Sequence, residues 1–403
     1  MGAETWTDEY LASMRQVADP EADEVVRRLF EEQGLEALRQ FHGQILRADG
    51  VPVNGLPSYV ADYLRANSAP PAWMDRDAAR HAAEVLSSNG MIAFTILGCA
   101  SLPECYVDRL GVPVLWLTQL MNAHVFRRVV ETAQFVIGVM APGGLEPNGP
   151  GLRAAQKVRL MHASIRHLIL ATPDEQLARG NAEDLAGVFR DHEWKEELGL
   201  PINQEDMAYT LQTFAWVTVR GLRDLGAGLS ADQEEGIVQL WNAAGDLMGI
   251  RRELMPADVG EAELLFTRIK QRVAAPSEGG RSMQAALLNF EQSLMPTHLP
   301  GFRHLPRMVM RHLVGDATAD LLGVPELMPA EVIEARLVID ALSAGDRVRN
   351  DLFDGFSPTR KAAELVFHAM MDAFVNLPRQ WERDLFQIPE QLAAGWALTR
   401  VAA

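Results

Sequence analysis

The sequence predicts an all-α fold, organised as a single helical domain over residues 1–403 with a core at about 75–275 and peripheral helices at both ends. Three observations carry that expectation. Apolar residues recur three and four apart through nearly the whole chain, the period of a helix facing a core. Proline and glycine punctuate those stretches at intervals of a helix length. Alternating β-branched runs, 20–50-residue repeats, a Gly-x-Gly-x-x-Gly loop and a phosphate-cradling loop are all absent.

Taken in order, the first long helix spans about Glu21 to Arg47, with Val25, Val26, Leu29, Phe30, Leu35, Leu38, Phe41 and Ile45 in helical register and an interruption at Gly34. A second carries Tyr59, Val60, Tyr63 and Leu64 and stops at Pro70-Pro71. A third starts near Asp75 and continues into the apolar run around Met91 to Leu97. A long helix is expected from about Pro113 to Met140, ending where Pro142-Gly143-Gly144 cannot continue it. A short loop then hands over to the helix of Lys157 to Leu170, which favours antiparallel packing of the pair. Asn203 opens a helix through Phe214 and Trp216 to the Gly226-Ala227-Gly228 stop. Ser230 and Gln233 form a capping box for the next, which carries Ile237, Leu240, Trp241 and Leu247. Helices at about 258–274, 282–294, 304–322, 330–344 and 359–377 complete the chain.

Composition narrows the function classes. With 48% apolar and 23% charged residues, the chain reads as a soluble globular protein. Its 54 acidic against 37 basic residues give a net charge of −17, which argues against nucleic acid or an anionic membrane as partner. Cys99 and Cys105 match neither a zinc nor a redox motif, and Cys99 reads as a small core hydrophobe. His192-Glu193 lacks a second pair at helical spacing and reads as a surface pair rather than a metal site. The N-terminus has no basic and apolar leader pattern, and no run of about 18 apolar residues suggests a transmembrane helix. As it stands the sequence reads as cytoplasmic; removal of a leader would make the protein secreted.

The stretch with the most chemistry is Lys157 to Leu170. Val158, Met161, Ile165, Leu168 and Ile169 give it a core face, while Arg159, His162 and Arg166 share one stripe. Two readings are open for a histidine set between arginines in an apolar wall. One is a core histidine bonded to a carbonyl, with arginines paired to carboxylates. The other is a haem-iron ligand with arginines near the propionates. His167 is rotated off the stripe and is not the expected ligand.

Arg159-x-x-His162-x-x-x-Arg166 resembles the signature of the family of latex clearing proteins (rubber oxygenases) and MpaB-type oxygenases. Upstream, Arg128-Val129-Val130-Glu131-Thr132 is similar to the family's Arg-x-x-x-Thr element. The resemblance extends through Ser101-Leu102-Pro103-Glu104-Cys105-Tyr106, Leu200-Pro201-Ile202-Asn203-Gln204, Leu240-Trp241 and Met248-Gly249-Ile250. It implies an enlarged globin-like helical core, haem b (iron protoporphyrin IX) as cofactor, His162 as proximal ligand with Arg159 and Arg166 beside the cofactor, and Arg128, Glu131 and Thr132 as distal catalytic residues. The rubber-degrading prototype has a lysine immediately before the threonine, where this chain has Glu131. The prototype's upstream glutamate base has Glu104 and Asp108 as candidate counterparts.

The resemblance thus implies a haem-dependent dioxygenase that cleaves a carbon–carbon double bond of an isoprenoid, polyisoprene or rubber-like, to carbonyl products, with dioxygen and an apolar alkene as partners. A haem oxygenase acting on a small terpenoid, a non-catalytic haem gas sensor, and a haem-free binder of apolar ligands are the alternatives.

Overall fold

The structure is a computed structural model that describes residues 6–47, 51, 55–121, 125–170, 194–295 and 300–350. The helix expected at about 359–377 and the His192–Glu193 pair lie outside the described residues. The all-α expectation holds: among the described residues the one β-type pairing is an isolated antiparallel bridge between Asp108 and Ala274.

In chain order the helices are α1 (Asp8–Met14), α2 (Pro20–Arg47), α3 (Ser58–Ala66), α4 (Arg76–Ser88), α5 (Gly90–Ile96), α6 (Leu102–Tyr106), α7 (Val112–Met121), α8 (Val125–Met140) and α9 (Pro150–Leu170). They continue as α10 (Gln204–Phe214), α11 (Trp216–Asp224), α12 (Ala231–Leu247), α13 (Val259–Val273), α14 (Glu278–Leu294), α15 (Leu305–Val314), α16 (Asp316–Leu321) and α17 (Pro329–Asn350). A π-helical turn at Leu97–Ser101 joins α5 to α6.

Local chemistry explains the boundaries. Gly34 sits at φ +82° inside α2 and breaks it into two arms, which a side chain there would resist. Asn203 caps α10 through a bond from the Asp206 amide, and Ser230 with Gln233 forms the full capping box of α12. Three expected continuous helices are divided: the one from Asp75 turns at Asn89 between α4 and α5, the one from Asn203 turns at Ala215 between α10 and α11, and the 304–322 stretch breaks at Gly315, where φ is +79°. The 113–140 stretch carries α7 and α8, and residues 122–124 lie outside the described residues.

The larger core gathers α4 to α8 and α10 to α16 around Phe94, Ile96, Tyr209, Trp241 and Met140. A smaller one joins Val26, Leu29, Leu38 and Phe41 of α2 and Val60 of α3 to Leu160, Ile165 and Leu168 of α9. Helix α9 therefore lies between the cores, with its motif stripe at their seam. No single helix among the described residues is long and apolar enough to cross a membrane.

Candidate functional site

The site is built on the α8–α9 hairpin. The two helices cross where Gly138 meets Gly151: a Cβ on Gly151 would lie 2.8 Å from the Gly138 carbonyl oxygen and from Val139 Cα. Two glycines permit that approach, and the crossing fixes which faces confront each other.

At about 100° per residue, the α9-facing stripe of α8 runs from Gly138 back through Gln134 and Glu131. The α8-facing stripe of α9 runs from Gly151 through Ala155 and Val158 to His162. At about 1.5 Å per residue, Glu131 lies some 10 Å from the crossing, Arg128 about 15 Å and His162 about 16 Å, all toward the same end of the hairpin. His162 thus lies on the stripe of α9 that meets α8 at the crossing, toward the end of the hairpin that carries Glu131. Glu131, Thr132 and His162 are all half-buried. Arg128 and Thr132 are rotated from the α9-facing stripe by roughly a quarter turn. The backbone of Arg128 is described within α8; its side chain lies outside the described residues.

Beyond Thr132 on α8, Phe135 begins an aromatic wall. Its ring centroid is 6.0 Å from Trp241 and 6.4 Å from Phe214, and the Phe214 and Trp241 rings stack at 5.2 Å. Such a wall is apolar and excludes water.

The two arginines of the motif are already engaged. Arg159, 8% exposed, donates from Nε to Asp19 Oδ2 at 2.5 Å, from Nη2 to Asp19 Oδ1 at 2.9 Å and Glu21 Oε2 at 2.8 Å, and from Nη1 to Asn67 Oδ1 at 3.0 Å. Arg166 donates from Nε to the Pro201 carbonyl at 2.9 Å, from Nη2 to the Ile202 carbonyl at 2.8 Å, and from Nη1 to Asp23. Burial pushes the Asp23 carboxyl above its usual range, although Arg166 draws it back down. Any contact of these arginines with propionates, as the resemblance implies, has to compete with these partners. His167 points elsewhere: its ring lies 4.6 Å from that of Phe30 on α2, and burial lowers its pKa and keeps it neutral.

The two candidate bases have structural tasks. Glu104 is fully buried and divides its oxygens between Arg220 Nη2 at 3.1 Å and Lys270 Nζ at 2.6 Å, so it joins α6 to α11 and α13. Asp108 Oδ1 accepts from the Leu110 and Gly111 amides at 2.9 and 3.0 Å, closing the turn into α7. Burial pushes the Asp108 carboxyl up despite the nearby Arg15.

A haem held by histidine needs an axial imidazole, an apolar slot and a few polar groups at its edge. The residues present fit. His162 could supply the imidazole, and Gln134 Nε2, on the α9-facing stripe of α8, is a buried amide nitrogen with no hydrogen-bond partner among the described residues. Among those residues there is no group of three or more His, Cys, Asp or Glu able to hold a bare metal ion.

Sequence reasoning missed Asp19, Asp23 and Asn67, and it gave no physical reason for the Leu200–Gln204 and Met248–Ile250 motifs. The one available signal was generic: buried arginines need acceptors, and acidic residues cluster at the start of α2.

Comparisons with known proteins bear on the family and the fold. Residues 118–344, more than half of the chain, match the family model described as "ER-bound oxygenase mpaB/B'/Rubber oxygenase, catalytic domain". A rubber oxygenase of Streptomyces sp. (strain K30) is 21% identical over 309 residues, spanning 76% of this chain and 71% of that protein. A solved structure of latex clearing protein in its closed state superposes with a TM-score of 0.66, at 19% identity, over 88% of this chain and 91% of the other. That likeness shows the shared fold.

Proposed function

Because the chain belongs to the family of mpaB-type and rubber oxygenases, we propose that it is a b-type haem-dependent dioxygenase that cleaves a carbon–carbon double bond of an isoprenoid, polyisoprene-like substrate to carbonyl products. The observation that carries this reading is the position of His162 on the α8-facing stripe of α9, with Glu131 on the opposing stripe, both inside the stretch matched to the family. His162 would hold the iron, and bound haem would supply the activation of dioxygen.

The chain's own side chains divide the remaining work. Thr132 offers a hydroxyl that can donate or accept, and Arg128, one turn away, offers a permanent cation for developing negative charge. Glu131 provides a carboxylate able to take or return a proton at the face opposite His162. Phe135, Phe214 and Trp241 form an apolar wall against which an alkene can lie with water excluded. Arg159 and Arg166, committed to acidic and carbonyl partners, hold the histidine helix in place.

The test starts with the absorption spectrum of the purified protein. A Soret band that disappears in His162→Ala and persists in His167→Ala is expected; full haem retention in the His162 variant refutes the assignment. Holoprotein incubated with polyisoprene latex and, separately, with short prenyl alkenes under labelled dioxygen is expected to yield aldehyde and ketone ends. Latex as the better substrate supports the polymer reading, and short alkenes alone assign a small terpenoid. Product from neither leaves a haem protein that binds gas without turnover.

A further inference from the structure

We propose that the segment from Val17 to Asp23, together with Pro201–Gln204 and Gly249, is a cradle that sets the position of His162. The proposal rests on the reading of His162 as the iron ligand. It makes Asp19, Asp23, Gln204 and Gly249 positioning residues.

Arg159 precedes His162 by three residues and Arg166 follows it by four, so they flank the histidine on its own side of α9, about 10 Å apart along the axis. Each is gripped by an aspartate from the start of α2: Arg159 by Asp19 through two hydrogen bonds, Arg166 by Asp23. A bidentate arginine–carboxylate pair fixes orientation as well as distance. That bidentate grip on Arg159, and on Arg166 a single bond to Asp23 with two more to the Pro201 and Ile202 carbonyls, lie one on each side of His162 and restrain both the rotation of α9 about its axis and its slide along it. Asp19 and Asp23 come from the part of the chain that precedes the stretch matched to the oxygenase family.

The rest of the cradle is committed to the same end. Ile202 adopts φ +53°, a conformation that a β-branched residue enters only when its surroundings impose it. Its carbonyl accepts from Arg166, and the preceding Pro201 carbonyl does too. Gln204, 1% exposed, ties the pieces together. Its amide nitrogen donates to the Ala18 carbonyl at 3.0 Å and the Gly249 carbonyl at 2.9 Å, its side-chain oxygen accepts from the Arg251 amide at 2.9 Å, and its backbone amide donates to Val17 at 2.9 Å. Gly249, at φ +85°, closes the cradle: a Cβ there would collide with Asp19 Oδ2 and come within 2.8 Å of Arg159 Nε. The Leu200–Gln204 and Met248–Ile250 motifs thereby acquire a shared physical task. Groups that orient a ligating histidine tune the metal it holds.

The test uses holoprotein and reads two properties that a merely structural pair would leave alone: the iron–histidine stretching band in resonance Raman spectra of the ferrous protein, and the rate of haem transfer to apomyoglobin. Asp19→Asn and Gly249→Ala are expected to shift the band and to weaken haem retention roughly 10–100-fold, with partial recovery in Asp19→Glu. Arg166→Lys, which keeps the charge but loses the paired carbonyl contacts, is expected to act in the same direction and serves if Asp19→Asn does not fold. Glu234→Gln, which removes the remote Arg223–Glu234 pair, should change neither property. An Asp19→Asn or Arg166→Lys protein with a lowered melting temperature but a wild-type band and rate overturns the cradle. If the wild-type protein carries no haem, the functional reading fails by itself. The cradle is then read from diethyl pyrocarbonate modification of His162 followed by mass spectrometry, and an unchanged rate in Asp19→Asn overturns it.

Discussion

Glu291 on α14 is fully buried, and its carboxylate oxygens lie 3.9 and 4.0 Å from Cys99 Sγ in the π-helical turn. Among the described residues no cation reaches it, and the Pro306 carbonyl lies 4.0 Å from the same thiol. Burial pushes the Glu291 carboxyl up from an ordinary 4.5 to about 8, with the thiol drawing it slightly back, and burial keeps the Cys99 thiol protonated. A carboxyl whose folded pKa lies above its unfolded value contributes stability that is full below the unfolded pKa and is lost as pH rises through the folded one. At ~1.4 kcal/mol per pH unit, the loss between those values is on the order of 4–5 kcal/mol. Glu291→Gln cannot ionise. The stability of wild type relative to the variant should therefore fall by that amount between about pH 4.5 and about pH 8, and level off above. Urea unfolding of both proteins across this range measures the difference directly. A difference that stays constant with pH would mean that Glu291 is either ionised with an unseen partner or exposed in the folded protein, and would refute the reasoning.

Glu104→Gln should destabilise by about 3 kcal/mol, at the low end for breaking a buried ion network because Arg220 and Lys270 keep partial solvent contact, while activity per bound haem stays unchanged; a loss of turnover at constant haem content would restore it as a base. Gly151→Ala forces α9 off Gly138 and Val139 and should cost about 1–3 kcal/mol in urea unfolding, with weaker haem retention because His162 sits on the displaced stripe. Arg128→Ala and Thr132→Val should keep the Soret band and lose oxygenase turnover; haem loss with full activity in the remaining holoprotein would contradict a distal role.

Much of the fold was legible because helices are written in short-range terms. The period of apolar residues, the Ser230–Gln233 box, the Asn203 cap and the break at Gly34 each depend on neighbours within a turn or two, and the structure has all of them. The same local geometry separated His162 from His167, since a rotation along one helix needs no knowledge of the rest of the chain. The sequence alone also carried the family, which the match over residues 118–344 bears out. Which stripe of α9 meets α8 was decided only by the Gly138–Gly151 crossing, because a stripe has a direction only once a partner helix is docked against it. The partners of Arg159 and Arg166 lie as far as 140 and 143 residues away, at Asp19 and Asp23. No periodicity encodes such a distance, so two arginines that suggested propionate contacts in the sequence are held by acids in the folded chain. Glu104 and Glu291 make the same point from opposite sides: both are fully buried carboxylates. Tertiary packing gives the first two cations and the second a thiol, and that difference in surroundings, invisible in either residue's local sequence, sets what each can do.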